Sequence, residues 1–425
     1  MQKTSEQIHC GKIIVNLCIF ILKYYFFLPN MALLNGQVAE WLCRGLQILG
    51  CRFDSDPGLH KKMIHQITIT NFRNHTSSRI KTYGHKNIII TGANGAGKTA
   101  ILEAISLLSG ERGLRGAETQ MLARFNGDGG FSVFATLADD SDICVFFNTN
   151  DTNRHAKIDN ENSALSELNK KIRIVWLTPR EDRIFVESAS ERRAFFDHLV
   201  ANFDPAHLGR ITRLNKLLSE RAGALKSNGD DKWLDALDKQ IAATSVAIAA
   251  GRIRYASEIN YFFESGAVSV DGMIERLILE NTSIKAENMY FEYLKQNRVL
   301  SGDKMVIDGA HKSDFGVVNK SLNLPAGITS TGQQKSILID LILAHAKLIH
   351  IKTGHNPVIL LDEAAAHLDD NARDKLFSQL NESAAQVWAT GIDENVFTNV
   401  PDSIFVTCVD GCISNIVVNK EVKNA

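Results

Sequence analysis

The chain has little of what marks the extremes of protein class. Seven prolines and 29 glycines in 425 residues exclude a collagen-like or low-complexity protein. Seven irregularly spaced cysteines are too few for a disulfide scaffold in a chain this long, which points to a reducing, cytoplasmic setting. No charge of either sign is in excess: 47 Lys and Arg face 48 Asp and Glu, a formal charge of −1. Any nucleic-acid surface therefore has to come from local patches. What is present, 44% hydrophobic and 22% charged residues, describes a soluble globular chain long enough for two or three domains, with no internal repeat.

Long hydrophobic runs are also scarce. The run at 13–28 is interrupted by Asn16 and Lys23, is short for a membrane span and has no evident small-residue cleavage site. Four of the seven cysteines (Cys10, Cys18, Cys43, Cys51) precede a change of composition near Met63. The stretch 37–58, QVAEWLCRGLQILGCRFDSDPG, resembles the peptide obtained when a transfer-RNA gene is read as protein. We read residues 1–62 as a doubtful extension from an upstream start, with Met31 and Met63 as later starts and the functional chain running from Met63. An intact mass of the endogenous protein that included residues 1–62 would contradict this.

From Met63 the pattern alternates between strand and helix. Residues 64–70 alternate as a half-buried strand before a turn at 71–75, and 87–91 (NIIIT) read as a strand covered on both faces. A glycine-rich loop and an apolar helix over 100–108 follow. Residues 131–137 and 143–147 suggest a hairpin in a β-rich lobe, and 172–177 another strand. From about 190 to 264 the period becomes helical, with Ile211, Leu214, Leu218, Ala222 and Leu225 at steps of three and four. Helices are predicted over 233–255 and about 272–279, then short strands and loops after Met289. A helix over 332–349, a buried strand over 357–361, a helix over 371–380 and closing strands at 386–389 and 404–407 complete the plan. The expected fold is α/β: an ABC-type P-loop ATPase head, a mixed sheet with a β-rich lobe, holding an inserted α-helical domain. The expected division is 63–187 and 296–425 for the head and 188–295 for the insert.

Gly92-Ala93-Asn94-Gly95-Ala96-Gly97-Lys98-Thr99 fits the P-loop pattern between a strand and a helix. Its glycines let backbone amides curl around phosphates, and the helix N-terminus adds positive potential. Lys98 is expected to reach the β- and γ-phosphates of ATP and Thr99 to hold Mg²⁺. The bland alternative, a structural turn, is disfavoured by the flanking elements. The apolar strand ending in Asp362-Glu363 places a carboxylate where a parallel sheet presents a metal-orienting group. Asp362 is expected to bind Mg²⁺ through water, and Glu363 to polarise the attacking water as general base. Ser330-Thr331-Gly332-Gln333-Gln334-Lys335 is either a polar turn with a capping serine or the turn that, in ABC-type ATPases, meets the γ-phosphate held by the opposite subunit. Ala366-His367-Leu368-Asp369 resembles the D-loop of that class. Together they imply ATP sandwiched between two heads, so that binding drives a homodimer and hydrolysis releases it.

The chain from 63 to about 418 resembles RecF, a family of bacterial DNA-repair ATPases related to SMC proteins. The matching residues are Asn71-Phe72-Arg73-Asn74, the P-loop, Pro179 with Glu181-Asp182, Glu191-Arg192-Arg193 with Phe195, Phe196 and Asp197, Gly309-Ala310-His311-Lys312-Ser313-Asp314, Gly332-Gln333-Gln334-Lys335 and Leu360-Leu361-Asp362-Glu363. Ala310 and Lys312 replace the usual proline and arginine, and Glu363 stands where many members have a second aspartate. The resemblance implies ATP-dependent, sequence-independent binding of DNA near gaps and junctions, work with RecR and RecO to help RecA replace single-strand binding protein, and slow ATP hydrolysis.

Residues 188–226 carry seven Lys or Arg (Arg192, Arg193, Arg210, Arg213, Lys216, Arg221, Lys226) against four acids, which reads either as a surface along phosphates or as a solvated helix face. No base-reading motif or zinc site is present, and Cys408 and Cys412 read as strand residues, not metal ligands. His311 and Lys312 read equally as nucleotide sensors or as a turn cap. The runner-up function is the ATPase subunit of a membrane transporter, against which Thr390 or Gly391 stands where transporters carry a switch histidine. An SMC-type chromosome protein is disfavoured by the lack of room for a long coiled coil, and use of the nucleotide as a switch without hydrolysis stays open.

Overall fold

The computed structural model describes residues 63–227, 229–298, 307–363, 373, 376–380, 385–392, 394–397 and 400–418. The expectations for residues 1–62, for the D-loop at 366–369 and for part of the helix at 371–380 lie outside the described residues. The first half comprises strands β1 (Ile64–Phe72), β2 (His75–Lys81) and β3 (Asn87–Thr91), helix α1 (Lys98–Leu107), strands β4 (Phe131–Leu137), β5 (Asp142–Phe147), β6 (His155–Ile158) and β7 (Glu161–Ser163), helix α2 (Leu165–Lys171) and strand β8 (Ile174–Leu177). Helices α3 (Ala189–Ala201), α4 (His207–Lys226) and α5 (Asp231–Ile259) follow, then strand β9 (Gly266–Asp271) and helices α6 (Met273–Glu280) and α7 (Ser283–Gln296). Strands β10 (Asp314–Asn319) and β11 (Leu324–Pro325), helix α8 (Thr331–Thr353) and strands β12 (Val358–Leu361), β13 (Gln386–Gly391), β14 (Ser403–Val409) and β15 (Cys412–Val418) follow, with four short 3-10 turns between elements and helical residues at 376–380. Cys408 and Cys412 lie on β14 and β15.

The central sheet has the order β15-β14-β3-β13-β12-β8, with β15 antiparallel at one edge and the others parallel. Successive side chains feed two separate cores. Ile89, Ile359 and Leu361 join one, while Ile88, Ile90, Val358 and Leu360 join the other. Both faces are covered, so these strands read as continuous apolar runs. On one face α1 contributes Ile101, Leu102 and Ile105, shared with Ile67, Ile69 and Val133 of an antiparallel sheet ordered β2-β1-β4-β5-β6-β7. On the other, α8 contributes Ile337, Leu338, Leu341 and Ile342. Removing one such fully buried side chain, Ile89→Ala for instance, costs roughly 2–5 kcal/mol. The fold is thus the mixed α/β ATPase head with a β-rich lobe.

The middle of the chain differs from expectation in two places. Residues after Met289 do not return to strand and loop: α7 runs to Gln296. It buries only Ala286, Tyr290 and Leu294, a stripe one residue wide at steps of four, and leaves Ile284 and Met289 exposed. So narrow a stripe is a weak periodic signal. The second difference is β9, which lies among the helices yet pairs with β10, and β10 with β11, in a small antiparallel sheet spanning residue 295. The helices otherwise share a core of their own, including Leu214, Leu217, Leu237, Ile241 and Ile274. Among the described residues no helix is long and apolar enough to cross a membrane.

Candidate functional site

The C-terminal ends of β3, β13 and β12, three neighbouring interior strands, lie side by side at one end of the central sheet. The P-loop leaves β3 there. Gly92 and Gly97 have φ of 148° and 110°. A Cβ on Gly92 would lie 2.3 Å from the Cys408 carbonyl oxygen, and one on Gly97 2.6 Å from His75 Nε2, so neighbouring backbone and ring leave space only for glycine. The buried ammonium of Lys98 donates to the carbonyls of Gly92 at 2.7 Å and Ala93 at 2.9 Å, closing the loop around itself. A pocket of about 650 Å³ opens beside it, lined among others by Asn94, Gly95, Gly97, Lys98, Thr99 and Glu363. Ala93 and Ala96 stay in the loop wall, Ala96 buried and its carbonyl accepting from Gly411 N–H at 2.8 Å.

Across the pocket stands a hydroxyl–carboxylate chain. Thr99 Oγ1 donates to Asp362 Oδ1 at 2.9 Å, and Thr390 Oγ1 donates to the same oxygen at 2.9 Å. The Thr390 hydroxyl in turn accepts the Glu363 backbone N–H at 2.9 Å. Glu363 has φ of 51°, a left-handed backbone that costs a non-glycine residue of order 1 kcal/mol and persists only where surroundings hold it. Among the described residues no three His, Cys, Asp or Glu side chains group to cage a metal. One carboxylate and one hydroxyl beside a phosphate loop instead fit Mg²⁺, which completes its shell with water and phosphate oxygens.

The segment Asn71–Asn74, which the sequence marks as a turn and as part of the family resemblance but without a role, packs against the P-loop and α1. Arg73, at φ 53°, makes a bidentate pair with the buried Glu103 of α1 at 2.7 and 2.8 Å and donates to the Met121 carbonyl. Asn74 donates to the Gly95 carbonyl at 3.4 Å, and His75 bridges the Gly97 carbonyl at 3.0 Å and Ser78 Oγ at 2.8 Å. Burial lowers the His75 pKa against the opposing pull of the Gly97 and Gly411 backbone. Sequence reasoning missed Arg115, Arg124 and Phe125, which also line the pocket. They lie in an aperiodic stretch between α1 and β4, where arginine content was the only available signal.

Ser330, Gly332 and Gln333 do not join this pocket within one chain. Ser330 caps α8, accepting from Gln333 N–H at 3.4 Å, while Gln333 Oε1 accepts from Ser330 N–H at 3.0 Å. All three are exposed. Behind them the buried Gln334 amide donates to the Thr329 and Gly327 carbonyls, and Lys335 pairs with Asp182 at 3.3 Å. The Gln-Gln-Lys turn and the Glu181-Asp182 segment are therefore one contact. Glu181 itself accepts from the Thr178 N–H at 2.8 Å and from its hydroxyl, and burial raises its pKa.

Most of the cations counted over 188–226 have partners inside the fold. Arg192 forms a bidentate pair with Asp314 at 2.9 and 2.5 Å, Arg193 donates to the Ser313 carbonyl, Arg210 pairs with Asp204, and Arg221 is buried against Asp238 at 2.6 Å. With Arg213 on the Gln240 side-chain oxygen at 3.0 Å and Lys216 beside Glu220 at 3.8 Å, six of the seven cations have partners within the fold. These contacts also explain the 309–314 turn, which α3 holds through Arg192 and Arg193. The Asp197 carboxylate of α3 grips Arg252 at 2.7 Å twice, and Arg252 reaches the Ala310 carbonyl at 2.6 Å. His311 has its pKa lowered by burial and by Lys312, and neither residue lines the P-loop pocket.

Residues 63–415 match the RecF/RecN/SMC N terminal domain family. The chain is 35% identical over 373 residues to the DNA replication and repair protein RecF of Rhizobium rhizogenes, covering 84% of this chain and 99% of that one. It is 34% identical over 354 residues to RecF of Brucella abortus, covering 79% and 91%. Among solved structures it is similar to the recombination mediator protein RecF-ATPrS in the RecFOR pathway, with a TM-score of 0.74 and 22% identity over 83% of this chain and 98% of that one, which shows a shared fold.

Proposed function

The chain belongs to the RecF family of DNA replication and repair proteins, and from that premise we propose that it is an ATP-dependent DNA-binding protein of recombinational gap repair. In this reading it acts in the cytoplasm on single-strand/duplex junctions without sequence preference, beside RecR and RecO, to assist RecA loading. The transporter-subunit alternative finds no support in relatives that match along most of the chain.

The observation that carries the nucleotide half is the Thr99–Asp362–Thr390–Glu363 chain of hydrogen bonds at the mouth of the P-loop. Gly92, Ala93, Asn94, Gly95, Ala96 and Gly97 present backbone amides to the phosphates of ATP, and Lys98 exchanges its loop carbonyls for phosphate oxygens. Thr99 and, through water, Asp362 would hold Mg²⁺, which when bound neutralises charge on the β- and γ-phosphates. Glu363 orients and deprotonates the attacking water, with its backbone N–H held by Thr390. The exposed Ser330-Gly332-Gln333 turn, standing clear of its own P-loop pocket, is free to complete that of a second copy. ATP binding then drives the homodimer, and slow hydrolysis releases it. The division at 63–187, 188–295 and 296–425 belongs to the same proposal, amended by the β9–β10 pairing.

Light scattering of the full chain tests the dimer. ATP should double the mass of the Glu363→Gln protein and leave Ser330→Arg monomeric. A Ser330→Arg protein that dimerises like its parent would overturn the sandwich.

A further inference from the structure

A second cleft, of about 850 Å³, lies beside the nucleotide pocket and shares Arg115 with it. The loop after α1 forms one wall with Arg112 and Arg115, Arg154 before β6 another, and β8 and α3 the floor with Trp176, Phe195 and His198. Four carboxylates, Glu111, Glu181, Glu187 and Glu191, line this cleft too, and three of them have partners within the fold. Glu111 meets His198 Nδ1 at 2.6 Å, Glu181 accepts from Thr178, and Glu191 caps α3. Of the four guanidinium groups in the lining, Arg180 pairs with Glu191 at 3.6 Å and the other three are unpaired. Among the described residues Arg112, Arg115 and Arg154 form no hydrogen bond or ion pair within the chain, and Arg154 Nη1 is buried without a partner. Burial and the neighbouring charge of Arg112 both lower the Arg154 pKa. Arg112 and Arg154 thus face one cleft as like charges, neither paired with any of its carboxylates, an arrangement that a phosphate relieves.

We propose that Arg112 and Arg154 hold backbone phosphates of a single strand of nucleic acid in this cleft, with Trp176 and Phe195 offering apolar surface to its bases. The inference rests on the DNA-binding reading above and gives it a location. A guanidinium fork matches phosphate geometry, and guanidinium groups interleaved with aromatic rings are what a sequence-tolerant single-strand groove requires. Arg115, lining both pockets, places the strand within reach of the nucleotide's state.

The test uses the full chain, saturated with ATP so that the P-loop is occupied. Anisotropy of a labelled single-stranded oligonucleotide is read across a salt series for the parent and for Arg112→Gln, Arg154→Gln and the double variant. The expected result is at least tenfold weaker binding by the double variant, a salt slope lower by about 1.4 for two lost phosphates, and unchanged ATP binding. Should Arg154→Gln fail to fold, Arg112→Gln on the exposed loop carries the test, with a slope lower by about 0.7. Equal affinity and slope for parent and folded variants would overturn the site and leave the DNA-binding reading standing. A parent that binds no DNA would overturn that reading and the nucleic-acid occupant together. Inorganic pyrophosphate that then stabilised the ATP-loaded parent against heat, but not the double variant, would assign the cleft to a small phosphate ligand instead.

Discussion

Thr99 and Asp362 stand 263 positions apart in sequence and share a hydrogen bond of 2.9 Å. The first follows strand β3 and the second follows β12, and the sheet order puts only β13 between them. Thr390, at the end of β13, fills that gap and donates to the same Asp362 oxygen. The nucleotide site is therefore a product of strand order, and each of its members can be tested separately.

Lys98→Ala removes a charge-assisted donor from the phosphate loop. ATP affinity should fall about ten- to hundredfold, the equivalent of the roughly 1.5–3 kcal/mol that such a bond contributes. Titration with a fluorescent ATP analogue measures it.

Glu363→Gln keeps the size of the side chain and removes its basicity. Turnover should fall by about 10²- to 10⁴-fold while ATP binding persists, so that the ATP-bound dimer accumulates. Phosphate release and light scattering on one sample read both effects. Turnover equal to the parent's would remove Glu363 from the role of general base.

Thr390→Val keeps the shape and deletes the hydroxyl that Asp362 and Glu363 share. We expect lower turnover with ATP binding little changed, and a stability loss of about 1–3 kcal/mol from the unpaired Glu363 N–H. Thr390→Ser should restore both. A Val variant with parental turnover would show that Glu363 needs no such support.

Much of this site was legible in the sequence because its chemistry is local. The P-loop glycines, Lys98, Thr99 and the acidic end of β12 lie within short motifs whose residue types follow from their task. Thr390 was noticed only as the absence of a histidine, since its partners lie across two strands and a hydroxyl has no signature of its own. Arg73 stood among the residues that carry the resemblance, but its role was hidden for the same reason: its partner Glu103 belongs to a different element. The basic count of 188–226 could not decide between its two readings because composition does not record that Arg192, Arg193, Arg210 and Arg221 have acceptors inside the fold. Helix α7 was missed because a stripe one residue wide is a poor periodic signal, and β9 because its partner strand begins some forty residues later.

Acid should weaken the fold in two stages. His345, fully buried with Nδ1 2.7 Å from the Tyr255 hydroxyl, has its pKa pushed down to about 3 by burial and by the charge of His198. It stays neutral when folded, so its contribution is whole above the unfolded value of about 6.5 and drains as pH falls toward 3. Burial acts to raise the Asp197 pKa, but hydrogen bonds from His207 and Arg252 prevail and hold it low. Its contribution is whole above the ordinary carboxylate range and is lost only below it, as pH falls through the lowered value. Urea midpoints should thus decline already between pH 6.5 and 5, and His345→Gln should flatten that part of the curve. Asp197→Ala, which strands Arg252 in the interior, should cost about 3–5 kcal/mol at neutral pH.

The central claim is that ATP in the P-loop gates DNA binding. The most direct measurement is binding of the full chain to duplex and gapped DNA, with ATP, with ADP and without nucleotide, across a salt series and beside Lys98→Ala. The account predicts tight binding that needs ATP, prefers the gapped substrate, weakens with salt and fails in Lys98→Ala. Binding that is equal with and without ATP, or that survives Lys98→Ala unchanged, would contradict it.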